Sequence, residues 1–129
     1  MKYEEITKLI LSSAFKVHSS LGNGFQEIIY QRALGLEFSH QNLSSQRELE
    51  MPIYYRELQI GTRRVDFLVE GLIIVELKAI INLEDVHLAQ AINYLEAFNL
   101  EIGMLINFGS KSLQYHRLTN KKFDAMYHQ

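Results

Sequence analysis

The pattern of apolar positions predicts two helices at the start of the chain. Apolar residues recur at steps of three and four between residues 3 and 21, as on one face of an α-helix: Ile6, Ile10, Ala14, Val17 and Leu21. Gly22-Asn23-Gly24 ends this helix, because glycine suits the left-handed turn that follows a helix. A second helix is predicted from about Phe25 to His40, followed by a loop at residues 42–45.

The middle of the chain changes to the patterns of β-strands. Strands are predicted over residues 48–55, 64–69 and 72–78, with a short strand or a turn at 57–61. Pro52 indicates an edge strand or a bulge, because proline cannot donate to a ladder. Glu70-Gly71 predicts a hairpin between the last two strands. The unbroken apolar run over residues 72–75 is typical of a strand covered on both faces.

The last third of the chain returns to helical spacing and then to strands. A helix is predicted over residues 83–99, with Asn82 as its cap and Asp85 in its first turn. Two more strands are predicted, over residues 101–108 and 112–118. Residues 120–129 have the weak pattern of a frayed tail. The order ααβββαββ predicts an α+β (α/β-like) fold with one mixed sheet flanked by helices.

Length, composition and charge restrict the classes of protein. The 129 residues fit one domain, so we predict a single domain over residues 1–129. Without cysteine, the chain has no disulfide scaffold, thiolate zinc site or cysteine nucleophile. A formal net charge of −2 means that nucleic acid would bind only through a local basic patch or a metal. With no long apolar window and no signal peptide, we expect a cytoplasmic protein without a membrane partner, and a homodimer or a protein partner stays open.

Several charged residues lie across the predicted hairpin. If the turn centres on Gly71, Asp66 faces Glu76 directly, and the Cβ atoms of such cross-strand partners lie about 4.5–5.5 Å apart. Strand alternation places Glu76 and Lys78 on one face of the sheet and Leu77 on the other. Two carboxylates and an ammonium group therefore converge on one patch.

The closeness of Asp66 and Glu76 has two interpretations. Adjacent carboxylates raise each other's pKa unless a cation lies between them, and Mg²⁺ is an oxygen-seeking ion that binds through one or two carboxylates. Lys78 would then position an attacking water or stabilise charge on a phosphate. In the alternative, Glu76 and Lys78 are a solvent-facing pair on an ordinary sheet, and Asp66 pairs with Arg64 or Lys78.

The third predicted helix adds polar residues on one face. His87, Gln90 and Tyr94 lie at offsets of zero, three and seven. A buried glutamine or histidine needs hydrogen-bond partners, which a polar site beside the sheet would supply. The alternative is a glutamine satisfied within the core and a tyrosine packed there. His87 has no second histidine nearby in the sequence, so it is a poor zinc ligand candidate.

Together these residues resemble a known family. Its motifs appear as Gly24-x-x-Glu27-x-x-Tyr30, Asp66, Glu76-Leu77-Lys78 and Gln90-x-x-x-Tyr94. In this order they are similar to the GxxExxY proteins of the PD-(D/E)xK nuclease-like superfamily, over about residues 5–118. One departure is that Val65 precedes Asp66 where the superfamily motif has proline. The resemblance implies a restriction-endonuclease-like core.

The resemblance also implies roles for individual residues. The metal ligands would be Glu27, Asp66, Glu76 and the main-chain carbonyl of Leu77, binding Mg²⁺ or Mn²⁺. Asp66, Glu76 and Lys78 would be the catalytic set, with Lys78 as the catalytic lysine. Supporting positions would be Gln90, Tyr94 and Tyr30.

The function that we predict is a Mg²⁺-dependent phosphodiesterase that acts on DNA or RNA through a metal-activated water. Arg63 and Arg64 lie next to the site in sequence, so we expect them to bind the nucleic-acid backbone. The alternative is a catalytically silent module on the same fold that binds nucleic acid or a protein.

Overall fold

Two helices precede the sheet in a computed structural model that describes residues 3–128. They are α1 (Glu4–Leu21) and α2 (Glu27–His40). Gly22 follows α1 with a φ of 76°, and its N–H donates to the carbonyl of His18. The predicted glycine stop is therefore confirmed, because only glycine adopts this backbone conformation without strain. Met1, Lys2 and Gln129 of the predicted domain lie outside the described residues.

The rest of the chain builds one five-stranded sheet with one crossover helix. Its elements are β1 (Ser45–Tyr55), β2 (Leu58–Val69), β3 (Ile73–Lys78), α3 (Asp85–Ala97), β4 (Ile102–Asn107) and β5 (Gln114–Thr119), followed by a short 3-10 helix at Ala125–His128. The strands lie in chain order, and β3 and β4 pair in parallel while the other neighbours are antiparallel. The predicted order ααβββαββ and the mixed sheet are confirmed.

The strand β2 is longer than the sequence pattern indicates. The segments predicted separately at 57–61 and 64–69 form one strand, because Gly61 pairs with Ile53 inside the ladder and does not end it. The register of β1 against β2 shifts instead between the pairs Ile53–Gly61 and Tyr54–Gln59. Pro52 lies on the outermost strand of the sheet, as predicted.

The hairpin turn between β2 and β3 requires left-handed backbone. Glu70 and Gly71 have φ values of 56° and 65°, and the N–H of Leu72 donates to the carbonyl of Val69. Two successive positive φ values match the twist of a tight hairpin. The first strand pair beyond the turn is Val69 with Ile73, so the turn sets the register of β3 against β2.

The predicted cap of the third helix is wrong. Helix α3 is capped by Glu84 and not by Asn82, and the Glu84 N–H donates to Nδ1 of His87. Asn82 instead accepts a hydrogen bond from the side chain of Gln114. The tail that was predicted to be frayed is anchored at its first residue. The buried Asn120 side chain donates to the carbonyls of Leu95 and Leu100.

Apolar layers cover both faces of the sheet. The layer below α1 and α2 contains mainly Ile10, Tyr30, Leu34, Phe38, Phe67, Val75 and Leu77. The layer below α3 contains Val65, Ile74, Ala91, Leu95 and Leu105. Every residue of β4 and all of β3 except Lys78 are buried, which is the burial expected of parallel strands. No helix within residues 3–128 has the length and apolar character of a membrane span.

A buried asparagine joins the segments that follow the two parallel strands. Asn107 is fully buried, and its Oδ1 accepts from the N–H groups of Ile80 and Gly109. Its Nδ2 donates to the carbonyl of Ile80 at 2.9 Å. Gly109 lies so close to this segment that a Cβ would approach the Ile80 nitrogen to 2.3 Å. This clamp fixes the chain just beyond Lys78.

We expect Gly109→Ala to destabilise the fold by about 3 kcal/mol, because backbone rather than a flexible side chain must move to make room. The matched control is Gly24→Ala, where an added Cβ meets nothing within 4 Å. Urea denaturation of both variants measures the difference. Equal stabilities of the two variants would contradict the close packing of Gly109 against the Ile80 backbone.

Candidate metal and phosphate site

The ladder between β2 and β3 ends where the predicted acidic residues begin. Regular pairing runs from Val69–Ile73 to Phe67–Val75. Beyond it, the Leu77 N–H donates to Oδ2 of Asp66 at 2.8 Å, and the Asp66 N–H donates to Oε2 of Glu76 at 3.3 Å. The two carboxylates thus replace backbone carbonyls as acceptors, and this brings them together.

The ladder on the other side of β2 is interrupted at the same point. The pairing of β1 with β2 skips Glu48, which has a φ of 55°, between Arg47–Phe67 and Leu49–Val65. This distortion lies opposite Asp66, and Val65 and Phe67 on either side of it belong to different apolar layers. The alternation of faces along β2 is therefore interrupted at Asp66.

A small cavity lies between the sheet and α3 beside these carboxylates. Its volume is about 20 Å³, enough for about one water molecule. The predicted site residues that line it are Glu27, Arg63, Glu76, Leu77, Lys78, Gln90 and Tyr94, together with His87. The structure therefore brings together most of the residues that the motifs contain, from α2, β2, β3 and α3.

Glu76 is the buried acid of this cavity. It is 5% exposed, and its pKa is raised from 4.5 to about 8, first by burial and then by its hydrogen bond and repulsion with Asp66. Arg63 opposes this rise from 3.4 Å away. Glu76 therefore holds its proton near neutral pH, as is typical of a buried acid beside a second carboxylate.

Arg63 covers the cavity from the β2 side. Its guanidinium lies 4.6 Å from the centroid of the Tyr94 ring, in a cation–π arrangement, and it also donates to the carbonyl of Arg64. Of the two predicted backbone-binding arginines, Arg63 thus faces the carboxylates. Arg64 is exposed and does not line the cavity.

Glu27 reaches the cavity from the first turn of α2. The residue is exposed at the rim, and partial burial is the main cause that raises the pKa of its carboxyl, followed by repulsion from Asp66. Lys78 and Arg63 act in the opposite direction. Glu27 is therefore the most accessible of the three acids.

Tyr30 does not line the cavity but shapes the turn before Glu27. Its hydroxyl donates to the Gly22 carbonyl at 2.6 Å and accepts from the Phe25 N–H at 3.1 Å. The ring is fully buried and stacks on Phe108 with centroids 4.8 Å apart. Tyr30 thus joins the end of α1 to the start of α2 and fixes where Glu27 enters.

Sequence reasoning missed Gln31. This residue is 5% exposed, and its Nε2 donates to Oδ1 of Asp66 at 2.9 Å. It lies four positions after Glu27, so the two share one face of α2. That spacing was the available signal, although it does not distinguish Gln31 from any other polar residue on the helix.

The predicted oxygen ligands for a hard cation lie on α2, β2 and β3 in and beside this cavity. They are the carboxylates of Glu27, Asp66 and Glu76 and the main-chain carbonyl of Leu77. Within residues 3–128, however, no three acidic or histidine side chains are close enough to form a complete ligand set. Asp66 and Glu76 instead accept hydrogen bonds from Gln31, Leu77 and Arg63.

A family model described as the PD-(D/E)XK nuclease superfamily matches residues 4–118. This chain belongs to that superfamily. Among curated proteins, no relative matches significantly. The crystal structure of SSO0001 is similar in fold, with a TM-score of 0.55 and 19% identity, and the match covers 90% of this chain. The matched part is only 59% of the SSO0001 chain.

Membership of the PD-(D/E)XK superfamily directs attention to the positions of the predicted motif residues on β2 and β3. The residues that the sequence analysis assigns to the superfamily motif are Asp66 on β2 and Glu76 and Lys78 on β3, with Val65 in place of proline. Val65 is fully buried below α3. A proline at this position would lack the N–H that a strand residue donates.

Glu76 makes the stability of the protein depend on pH. Its pKa is 4.5 ordinarily and about 8 when folded, so the folded state holds a proton that the unfolded state releases between these values. The contribution of Glu76 is therefore fully present below about pH 4.5 and is lost as the pH rises through about 8.

We expect this fall in the free energy of unfolding to be much smaller in Glu76→Gln, because an amide does not titrate. Urea denaturation at several pH values between about 5 and about 8 measures it. Glu57→Gln, at an exposed position in the β1–β2 turn, is the matched control. An equally steep fall in Glu76→Gln would show that another group causes the pH dependence.

Proposed function

We propose that this protein is a divalent-metal-dependent phosphodiesterase that cleaves DNA or RNA. The observation that carries the proposal is the buried carboxylate of Glu76, which lines one cavity with Lys78 and lies against the partly buried Asp66. Membership of the PD-(D/E)XK nuclease superfamily supports it. Within that superfamily, Gly24, Glu27 and Tyr30 favour the GxxExxY group.

The donor set fits Mg²⁺ or Mn²⁺. Glu76 holds its proton near neutral pH, and a cation that replaced this proton would stabilise the ionised carboxylate beside Asp66. The residues that would hold the ion are Glu27, Asp66 and Glu76, with the carbonyl of Leu77. When bound, such an ion lowers the pKa of a water molecule and stabilises negative charge on a phosphate.

Lys78 would place a positively charged side chain at the site of cleavage. It lies two residues after Glu76 on β3, and both line the cavity. Its ammonium group would orient a water molecule or stabilise the charge that develops on the phosphate during cleavage. Gln90 and Tyr94 line the α3 side and would approach the nucleic acid, while Arg63 and Arg64 would contact its backbone.

A specific observation favours a second function. Asp66 and Glu76 already have hydrogen-bond partners within the protein, and the cavity of about 20 Å³ holds no more than a water molecule. A catalytically silent module that binds nucleic acid through the same face would need no change in this arrangement. The two functions differ in whether a divalent ion binds and a phosphodiester is cleaved.

We expect Lys78→Met to remain folded and to lose cleavage of a fluorescent oligonucleotide with Mg²⁺ or Mn²⁺ by about 100-fold or more, because the charge that orients water and phosphate is removed. Lys8→Met, at an exposed position on α1, is the matched control.

If folded Lys78→Met cleaves as fast as the wild type, the assignment of Lys78 is wrong. If the wild type binds nucleic acid and cleaves neither DNA nor RNA with either ion, the silent module is the better description.

The residue between Glu76 and Lys78 should affect folding instead. Leu77 is 1% exposed and belongs to the layer below α1 and α2. We expect Leu77→Asp to unfold the domain, because a buried unpaired charge costs several kcal/mol. Circular dichroism measures this, and Leu77→Met should fold normally. A folded Leu77→Asp protein would contradict the burial of this side chain.

A further inference from the structure

Gln31 connects an exposed arginine to the candidate site. Its Nε2 donates to Oδ1 of Asp66 at 2.9 Å, and its Oε1 accepts from Arg47 at 3.4 Å. The glutamine is 5% exposed, whereas Arg47 lies at the surface on β1. Three elements, α2, β1 and β2, therefore meet in one chain of hydrogen bonds.

The chemistry of these groups fixes the direction of the amide. Arginine has only donors, so the group of Gln31 that faces Arg47 must be the oxygen. The NH₂ group must then face Asp66, whose carboxylate can only accept when it is ionised. If the amide turned over, two donors would face each other at Arg47, and two acceptors would face each other at Asp66.

The consequence concerns the orientation of Asp66. The Gln31 amide binds Oδ1, and the Leu77 N–H binds Oδ2 at 2.8 Å. Two neutral donors on separate oxygens fix the plane of the carboxylate while leaving its charge unneutralised. Partners of this kind around a ligand carboxylate are the ones whose loss reduces metal affinity, by about 10–100-fold.

We propose that Gln31 is a positioning residue that holds the Asp66 carboxylate in the orientation needed to bind a divalent cation, with its own amide oriented by Arg47. The proposal rests on the proposed function for the identity of the cation. The hydrogen bonds themselves do not depend on that function and can be tested separately.

The first experiment uses the metal-free protein. In a ¹H–¹⁵N spectrum of the full chain, the side-chain NH₂ signal of Gln31 is assigned by its loss in Gln31→Met. We expect this signal to shift in Asp66→Ala and in Arg47→Met. Arg32→Met is the matched control, because Arg32 lines the same surface groove as Arg47. If the chemical shift of the Gln31 NH₂ signal is unchanged in Asp66→Ala, the proposal is overturned.

The second experiment measures Mn²⁺ affinity by calorimetry on variants shown to be folded by their thermal unfolding. We expect Gln31→Met to bind Mn²⁺ about 10–100-fold more weakly than the wild type. Gln41→Met is the matched control, because Gln41 also donates from its side chain, to Ser12, at the end of α2. Its affinity should equal that of the wild type.

A mutant cycle separates positioning by Arg47 from a general effect of charge. Arg47→Met should weaken Mn²⁺ binding in the wild type and should have no further effect in Gln31→Met, because the chain is already broken. Arg47→Lys should restore most of the affinity, since lysine also donates to Oε1. Additive losses would overturn the role of Arg47, and unchanged affinity in Gln31→Met would overturn the role of Gln31.

The outcomes also separate this proposal from the proposed function. If the wild type binds no Mn²⁺ and cleaves no nucleic acid, the proposed function fails. A Gln31 signal that still shifts in both Asp66→Ala and Arg47→Met then supports the orientation of Asp66 by Gln31. If the wild type binds Mn²⁺ and Gln31→Met binds it equally well, the positioning proposal fails and the proposed function stands.

Discussion

The close approach of two carboxylates at the end of the β2–β3 ladder is the constraint on which this site depends. Where strand pairing stops, Glu76 accepts a hydrogen bond from the backbone N–H of Asp66, and Asp66 accepts one from the backbone N–H of Leu77. Their repulsion is tolerated because Glu76 holds a proton near neutral pH and Arg63 lies beside it. The same features would let the pair bind a cation, since two neighbouring carboxylates are stabilised by a positive charge between them.

The surrounding elements keep this arrangement in place. Tyr30 fixes the entry of α2, and so the position of Glu27. Asn107 fixes the chain beyond β3, and so the end of the strand that carries Lys78. Tyr30 and Asn107 form these hydrogen bonds with backbone groups of the turns and not with the acids. Tyr30 thereby determines where Glu27 reaches the cavity, and Asn107 determines where Lys78 does. Such support by residues outside the site is common at sites built on rigid elements.

The sequence allowed much of the fold and part of the site to be predicted, for physical reasons. The position of Gly71 and the two-residue period of strands were sufficient to place Asp66 beside Glu76. Gln31 could not be found in this way, because its burial depends on a partner 35 positions away. The cap at Asn82 was wrong because a tertiary partner, Gln114, binds that side chain and propensity alone does not reveal such partners.

The tight turn at Glu70 and Gly71 has a consequence for how this protein could change during evolution. Its length sets which residue of β3 faces Asp66, and side chains alternate between faces at every step. Deletion of one turn residue would leave every motif letter intact. It would nevertheless either slide Glu76 away from Asp66 or turn it towards the layer below α1 and α2. Relatives that retain the motif should therefore tolerate insertions at the far end of the β1–β2 hairpin far better than here.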